Sequence, residues 1–327
     1  MICIPRYYDR DCFAVLAMTP DMDVLRPSVL RDLCTRAGIR PSRAVGQHFL
    51  INRTTRDRII AAVDPQPSDT IVEVGAGFGV LTAVLAASGA RIIAIERDRR
   101  IVPILRELVA PYGHVEVVEG DVLNELRAFG PKSRRAGGSR WYALRPSSPT
   151  ILKPSWKLVA NLPYGITSDF LRLLFDRIAD GSLPTPERVV LLLQREVVDR
   201  LIGRPDARGF LTILAQLQCS PRRVVRVPPS HFWPAPKVES AVVALTDWRT
   251  PGATAAFLGV DRSAFLRLVH DVFVGRRQQI GTRLRSLVHD RTRVEAVCRA
   301  AGVQPMRRPE TLDMTEWIAL ARVLGNA

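Results

Sequence analysis

The sequence predicts an α/β protein: short apolar strands alternating with helices, then a smaller helical C-terminal domain. Three observations carry this. The runs 70–74, 91–95, 115–119, 157–160 and 189–193 are apolar and of strand length, and longer stretches of helical pattern separate them. The first run enters Gly75-Ala76-Gly77-Phe78-Gly79, and a helix is predicted over 80–87. The second run ends in Glu96, 21 positions after Gly75; a spacing of about 20 is expected of a ribose-binding carboxylate in a Rossmann-like unit.

Taken in order, residues 22–58 form a basic arm carrying Arg26, Arg31, Arg36, Arg40, Arg43, Arg53, Arg56 and Arg58. A helix over 28–37 stops at Gly38, and a second over 54–63 is capped by the Asn52 region and ended by Asp64-Pro65. Between them, Phe49 and Leu50 can anchor the arm on a core, while Gln47 and His48 read as plain loop polarity. The third strand ends in Gly120-Asp121. Residues 131–157 form a basic insertion with seven Lys or Arg, no acid, and the aromatics Trp141, Tyr142 and Trp156. Its expected role is a grip on RNA backbone or none at all. The fourth strand delivers Asn161-Leu162-Pro163-Tyr164, and Thr167-Ser168-Asp169 is expected to cap a helix through Ala179. The fifth strand ends in Gln194, and a helix follows through Leu201. Strands over 224–227 and 240–245 flank a stiff loop with four prolines that presents Phe232 and Trp233. A domain boundary is expected within 248–252. This gives an N-terminal extension and arm (1–39), a central domain (40–249) and a helical domain (250–327).

Composition narrows the function classes. The 327 residues are 47% hydrophobic and 24% charged, ordinary for a soluble globular protein. No apolar run approaches the roughly 20 residues that span a bilayer. Met1 to Met22 lack a clean signal-peptide core, and this untidy start raises Met18 or Met22 as the true initiator. The five cysteines are scattered without a CxxC pair, which argues against a zinc site and fits reduced thiols in a cytoplasm. No metal site is expected. The net charge of +15 and pI near 10.6 point to a polyanionic partner, with nucleic acid the first candidate.

The chemistry rests on Asn161-Leu162-Pro163-Tyr164. An Asn oxygen and the carbonyl before Pro can each accept an N–H from a flat amino-bearing ring, and Tyr supplies a stacking face. A strand-ending turn would use the same residues. The surroundings favour a site, because Glu96 and Asp121 also lie at the carboxyl ends of strands. The glycines let backbone approach a ligand and open a helix N-terminus to it. The turn lacks the third glycine of GxGxxG, since Val80 stands there. Glu73 just before the turn would repel a pyrophosphate and attract a cation. S-adenosyl-L-methionine, with its ammonium and sulfonium, is therefore preferred over NAD.

These motifs resemble the KsgA/RsmA-type rRNA adenine N6-dimethyltransferases. The resemblance rests on Val45-Gly46-Gln47-His48-Phe49-Leu50, Glu73-Val74-Gly75-Ala76-Gly77, Ile95-Glu96, Gly120-Asp121, Asn161-Leu162-Pro163-Tyr164 and Gln194-Arg195-Glu196-Val197-Val198. It continues through Val227-Pro228-Pro229-Ser230-His231-Phe232, Pro236-Lys237-Val238-Glu239-Ser240 and Arg276-Arg277. It implies a doubly wound, seven-stranded methyltransferase sheet with a small helical C-terminal domain. It implies cofactor contacts from His48, Leu50, Gly75, Gly77, Glu96, Asp121 and Asn161. Catalytic roles fall on Asn161, Leu162, Pro163, Tyr164 and Phe232, with Tyr164 and Phe232 sandwiching the base, and RNA contacts on Lys237, Arg276 and Arg277. The implied substrate is a pair of adjacent adenosines in a 3′-terminal hairpin of small-subunit rRNA, met by a monomer on a pre-30S particle. His48, Gly165 and Gln278 stand where the family more often has Asn, Asn and Lys. The rivals are a large-subunit rRNA dimethylase of the macrolide-resistance type, a DNA adenine methyltransferase, and an assembly factor that binds pre-rRNA without methylating it.

Overall fold

The computed structural model describes residues 24–41, 46–128, 156–204, 207–275 and 278–325. Residues 1–23, the insertion up to residue 155, and Arg276-Arg277 lie outside the described residues. The chain opens with helix α1 (Pro27–Arg36), strand β1 (Phe49–Leu50) and helix α2 (Arg53–Val63). Alternating elements follow: β2 (Thr70–Val74), α3 (Thr82–Ala86), β3 (Arg91–Glu96), α4 (Val102–Val109), β4 (Val115–Glu119) and α5 (Val122–Ala128). The alternation resumes with β5 (Trp156–Asn161), α6 (Thr167–Ala179), β6 (Arg188–Gln194), α7 (Arg195–Leu201) and α8 (Phe210–Gln218). Strands β7 (Ser220–Val227), β8 (Phe232–Trp233) and β9 (Ser240–Thr246) complete this part. The C-terminal helices are α9 (Pro251–Leu258), α10 (Arg262–Val274), α11 (Ile280–Val288), α12 (Arg291–Ala300) and α13 (Met314–Gly325).

Seven strands make one sheet in the order β4-β3-β2-β5-β6-β9-β7. The pairs from β4 to β6 are parallel, and β9 runs antiparallel to β6 and β7. Parallel strands need both faces covered, and alternate side chains supply the two cores. Val72, Val74, Leu158 and Ala160 join Phe170, Leu174 and Leu214 on one face. Ile71, Val159 and Leu192 join Ile59, Val63, Leu85 and Leu105 on the other. The order reverses between β3-β2 and β5, so the crevice at the carboxyl ends opens between β2 and β5.

Several local expectations change. The helix after the glycine turn begins at Thr82 rather than 80, because Gly77 (φ 55°) and Gly79 (φ 79°) hold the left-handed conformation. Thr167-Ser168-Asp169 does not cap α6: a 3₁₀ turn over Tyr164–Ile166 leads into it, and Ile166 at the N-cap offers no side-chain bond. Helix α8 has no counterpart among the expected elements; its N-cap is Gly209, whose N–H donates to Thr212 Oγ1 at 3.1 Å. That helix faces two ways, with Leu214 and Ala215 in the sheet core and Ile213 and Leu217 among the C-terminal helices.

Trp156, assigned in sequence to the basic insertion, and Lys157, read both as its last residue and as the first of the strand 157–160, belong to β5. Both are 1% exposed. Lys157 Nζ sits 2.8 Å from Asp69 and 3.5 Å from Glu187, and donates to the Asp64 carbonyl at 2.6 Å. It is an internal counter-charge tying α2, β2, β5 and β6 together, not a surface contact for RNA. Among the described residues no helix is long and apolar enough to cross a membrane.

Candidate active site

A cavity of about 430 Å³ opens at the carboxyl ends of β2, β3, β4 and β5. Its lining includes His48, Leu50, Gly75, Gly77, Glu96, Asp121, Asn161, Leu162, Pro163, Tyr164 and Phe232. The topology thus gathers residues that are up to 186 positions apart, from Gly46 to Phe232. Lys237 is exposed outside this cavity.

The glycine turn sets the floor. Val74 pairs with Ala160, so Gly75 lies beside Asn161. A Cβ on Gly75 (φ 73°) would meet the Asn161 carbonyl oxygen at 3.2 Å, and one on Gly77 would meet the Phe49 ring at 3.4 Å. Only glycine fits both the backbone angle and the space.

Two acidic side chains are buried behind the turn. Glu96 accepts the N–H of Gly77 and of Asp98, each at 2.8 Å, through different oxygens. Burial raises its pKa even so, against the pull of those backbone bonds. Glu73 is 2% exposed, and its Oε2 has no hydrogen-bond partner among the described residues. Burial pushes it up to about 8; the Thr82 hydroxyl opposes the rise and Glu96 adds to it. An orphaned buried carboxyl oxygen in a cavity wall is costly unless a ligand satisfies it. Asp121 accepts the Leu123 N–H at 2.9 Å at the start of α5, the ordinary turn role. Its other oxygen lies 3.4 Å from Arg97 Nε at the rim.

The arm and the proline-rich loop form the opposite wall. Rather than a bare loop, Phe232-Trp233 is a short strand, with Leu50 opposite Phe232 and Phe49 opposite Trp233. The Ile51 N–H donates to the His231 carbonyl at 2.9 Å. His48 is not plain loop polarity either: Nδ1 donates to the Pro234 carbonyl at 2.6 Å, and the ring packs on Tyr164 at 5.5 Å between centroids. Phe232 is 3% exposed and packs in the hydrophobic wall.

At the tip of β5, Asn161 Nδ2 donates to the His48 carbonyl at 3.2 Å. That bond leaves Oδ1 to accept from a ligand. Sequence reasoning assigned no role to Gln47, Phe78, Asp98 or Ile101, which also line the cavity. Asp98 carries a readable signal, two residues beyond Glu96, and the Arg100 guanidinium holds it below the usual carboxylate range.

This donor set fits a cationic nucleoside. It offers acceptors for ribose and amine and backbone that can approach closely, while the Glu73 carboxyl, expected from sequence to bring negative charge, is held protonated near pH 7 by its burial and leaves an unpartnered oxygen in the wall. The family model for ribosomal RNA adenine dimethylase matches residues 40–320. The chain belongs to that family. S-adenosyl-L-methionine is its methyl donor. Among relatives, the chain is 38% identical to the ribosomal RNA small subunit methyltransferase A of Anaeromyxobacter sp. (strain K), over 90% of this chain and 97% of that protein. The protein of the same name from Geobacter metallireducens is 36% identical, over 88% and 96%. Among solved structures, the 23S rRNA methyltransferase ErmE superposes with a TM-score of 0.62 at 25% identity, covering 85% of this chain and 99% of that one. A dimethyladenosine transferase from Plasmodium falciparum shares the fold at TM-score 0.60 and 23% identity, over 84% and 96%.

Proposed function

We propose that this enzyme dimethylates N6 of two adjacent adenosines in a 3′-terminal hairpin of small-subunit rRNA, acting as a cytoplasmic monomer on a pre-30S particle. One observation carries the chemistry: Asn161 sits in the cofactor cavity with its amide N–H held by the His48 carbonyl. Its oxygen and the Leu162 carbonyl then accept the two N6 hydrogens. Those bonds favour a pyramidal nitrogen whose lone pair is withdrawn from the ring. Alignment supplies most of what remains, and positioning of this kind can be worth roughly 7–11 kcal/mol. Tyr164 stacks on the base with Phe232 behind the opposite wall, so the adenosine enters flipped or unpaired. Glu96 holds the ribose and Asp121 the adenine amine of the methyl donor, which supplies an activated methyl when bound. The product nitrogen loses its proton readily, so no strong general base is needed.

The small-subunit substrate is supported by the names of the relatives at 36–38% identity. The likeness to ErmE supports a large-subunit substrate as the second reading. Residues 250–327, with Arg276, Arg277 and the exposed Lys237, are proposed to hold RNA phosphates. The deciding test is transfer of labelled methyl to small-subunit particles lacking the modification, beside large-subunit particles and adenine-rich DNA. N6,N6-dimethyladenosine confined to the small subunit is the expected result. Label in the large subunit favours the second reading, and tight RNA binding without label leaves an assembly factor.

A further inference from the structure

The Tyr164 ring stands on a 3₁₀ turn whose next residue is an exposed glycine, Gly165, with nothing within 4 Å of where a Cβ would lie. Such a turn does not by itself fix the plane of an aromatic ring. Yet a ring that binds a base by stacking must present its face in one orientation, because the stacking contact is lost as the two planes tilt apart. Two contacts fix it here. The phenol oxygen shares a hydrogen bond of 2.8 Å with Ser240 Oγ. The His48 ring lies against the same side chain, tilted by 33°, and is itself tethered to the Pro234 carbonyl.

Ser240 is suited to the task by its place in the sheet. It is 0% exposed at the first position of β9, opposite Gln194 of β6 and opposite Val227 of β7. Strands on both sides hold its backbone, so its hydroxyl is a fixed point. A buried hydroxyl in this apolar neighbourhood needs a partner, and the phenol supplies it.

We propose that Ser240 is a positioning residue for the methyl-accepting base, acting only through the Tyr164 hydroxyl to hold the stacking face of that ring. The proposal rests on the reading in which Tyr164 meets the base. Its chemistry is simple: no bond to the substrate forms through Ser240, and removal of its hydroxyl leaves the ring held by His48 alone.

A double-mutant cycle of Ser240→Ala, Tyr164→Phe and the double variant tests it on the full chain, with small-subunit particles as substrate. Each single variant is expected to raise the KM for particles about fivefold, the size of one net hydrogen bond. The double variant is expected to add nothing further. Dissociation of S-adenosyl-L-methionine, measured by calorimetry without RNA, stays at the wild-type value. Additive effects, or an unchanged KM in Ser240→Ala, overturn the proposal. A separate readout needs no RNA. Burial raises the Tyr164 phenol and the Ser240 bond works against that rise, so Ser240→Ala moves it further up in an alkaline absorbance titration, read as the difference from Tyr164→Phe. An unchanged phenol titration overturns the contact itself. If wild-type protein methylates no particle, the reading of the substrate fails while the phenol titration still judges the Tyr164–Ser240 bond.

Discussion

At the residue scale, Asn161 and Glu73 both line the cavity. Asn161 has its N–H engaged by the His48 carbonyl, so removing the side chain loses both an anchor and an acceptor. Asn161→Ala is expected to lower kcat by about 100-fold or more, as misplacement does in positioning enzymes. The Kd of S-adenosyl-L-methionine should change far less; single-turnover assays and calorimetry separate the two, and an unchanged rate removes Asn161 from the mechanism. Glu73 predicts a pH dependence. Its pKa rises from 4.5 unfolded to about 8 folded, first through burial. The native state then binds more protons than the unfolded state across that interval. This contribution to stability is full below pH 4.5, is lost as pH climbs toward 8, and is flat above it. The slope is at most about 1.4 kcal/mol per pH unit. Thermal melts of the cofactor-free protein from pH 6 to 8.5 should therefore fall more steeply for wild type than for Glu73→Gln. Equal slopes would show that Glu73 ionises normally.

At the element scale, Lys157 explains how β5 is held at the end remote from the cavity. Its ammonium and the Asp69 carboxylate are 1% and 2% exposed. Replacing one partner leaves the other buried without its counter-charge. Lys157→Met is expected to destabilise the fold by about 3–5 kcal/mol, read as a lower denaturant midpoint. A loss below about 1 kcal/mol would mean that water or rearrangement satisfies Asp69. The alternation of β5 shows why a lysine in strand position reads ambiguously in sequence. The strands are visible as apolar runs, but the partners of a buried charge come from α2, β2 and β6 and are not.

At the scale of the whole molecule, the +15 net charge is a statement about a polyanion. Affinity for rRNA should fall steeply with salt. Replacing Arg276 and Arg277 by Ala should reduce the slope of log K against log salt by about 0.7–0.9 for each phosphate left without its cation. An unchanged slope would place the RNA elsewhere on the surface. The C-terminal helices pack on α8 through Ile213, Leu217, Phe265 and Trp317, so the helical region and the sheet share one element between their cores.

The sequence by itself determined the five parallel strands, the glycine turn, the acidic strand ends and the Asn161–Tyr164 turn, because each depends on neighbours in the chain. Apolar runs are strand-like over five or six residues, and left-handed backbone demands glycine locally. Tertiary structure alone decided that Lys157 is internal and that His48 is tied to Pro234. It also decided that Phe232 is a wall residue paired beside Leu50, and that the Tyr164 phenol meets Ser240. The last of these joins residues 76 positions apart, and the His48–Pro234 bond joins residues 186 apart. Local pattern encodes which face of a strand is apolar, but not which distant hydroxyl or carbonyl arrives opposite it. That is fixed only when the sheet assembles, its antiparallel β9 included, and the arm folds back over the crevice.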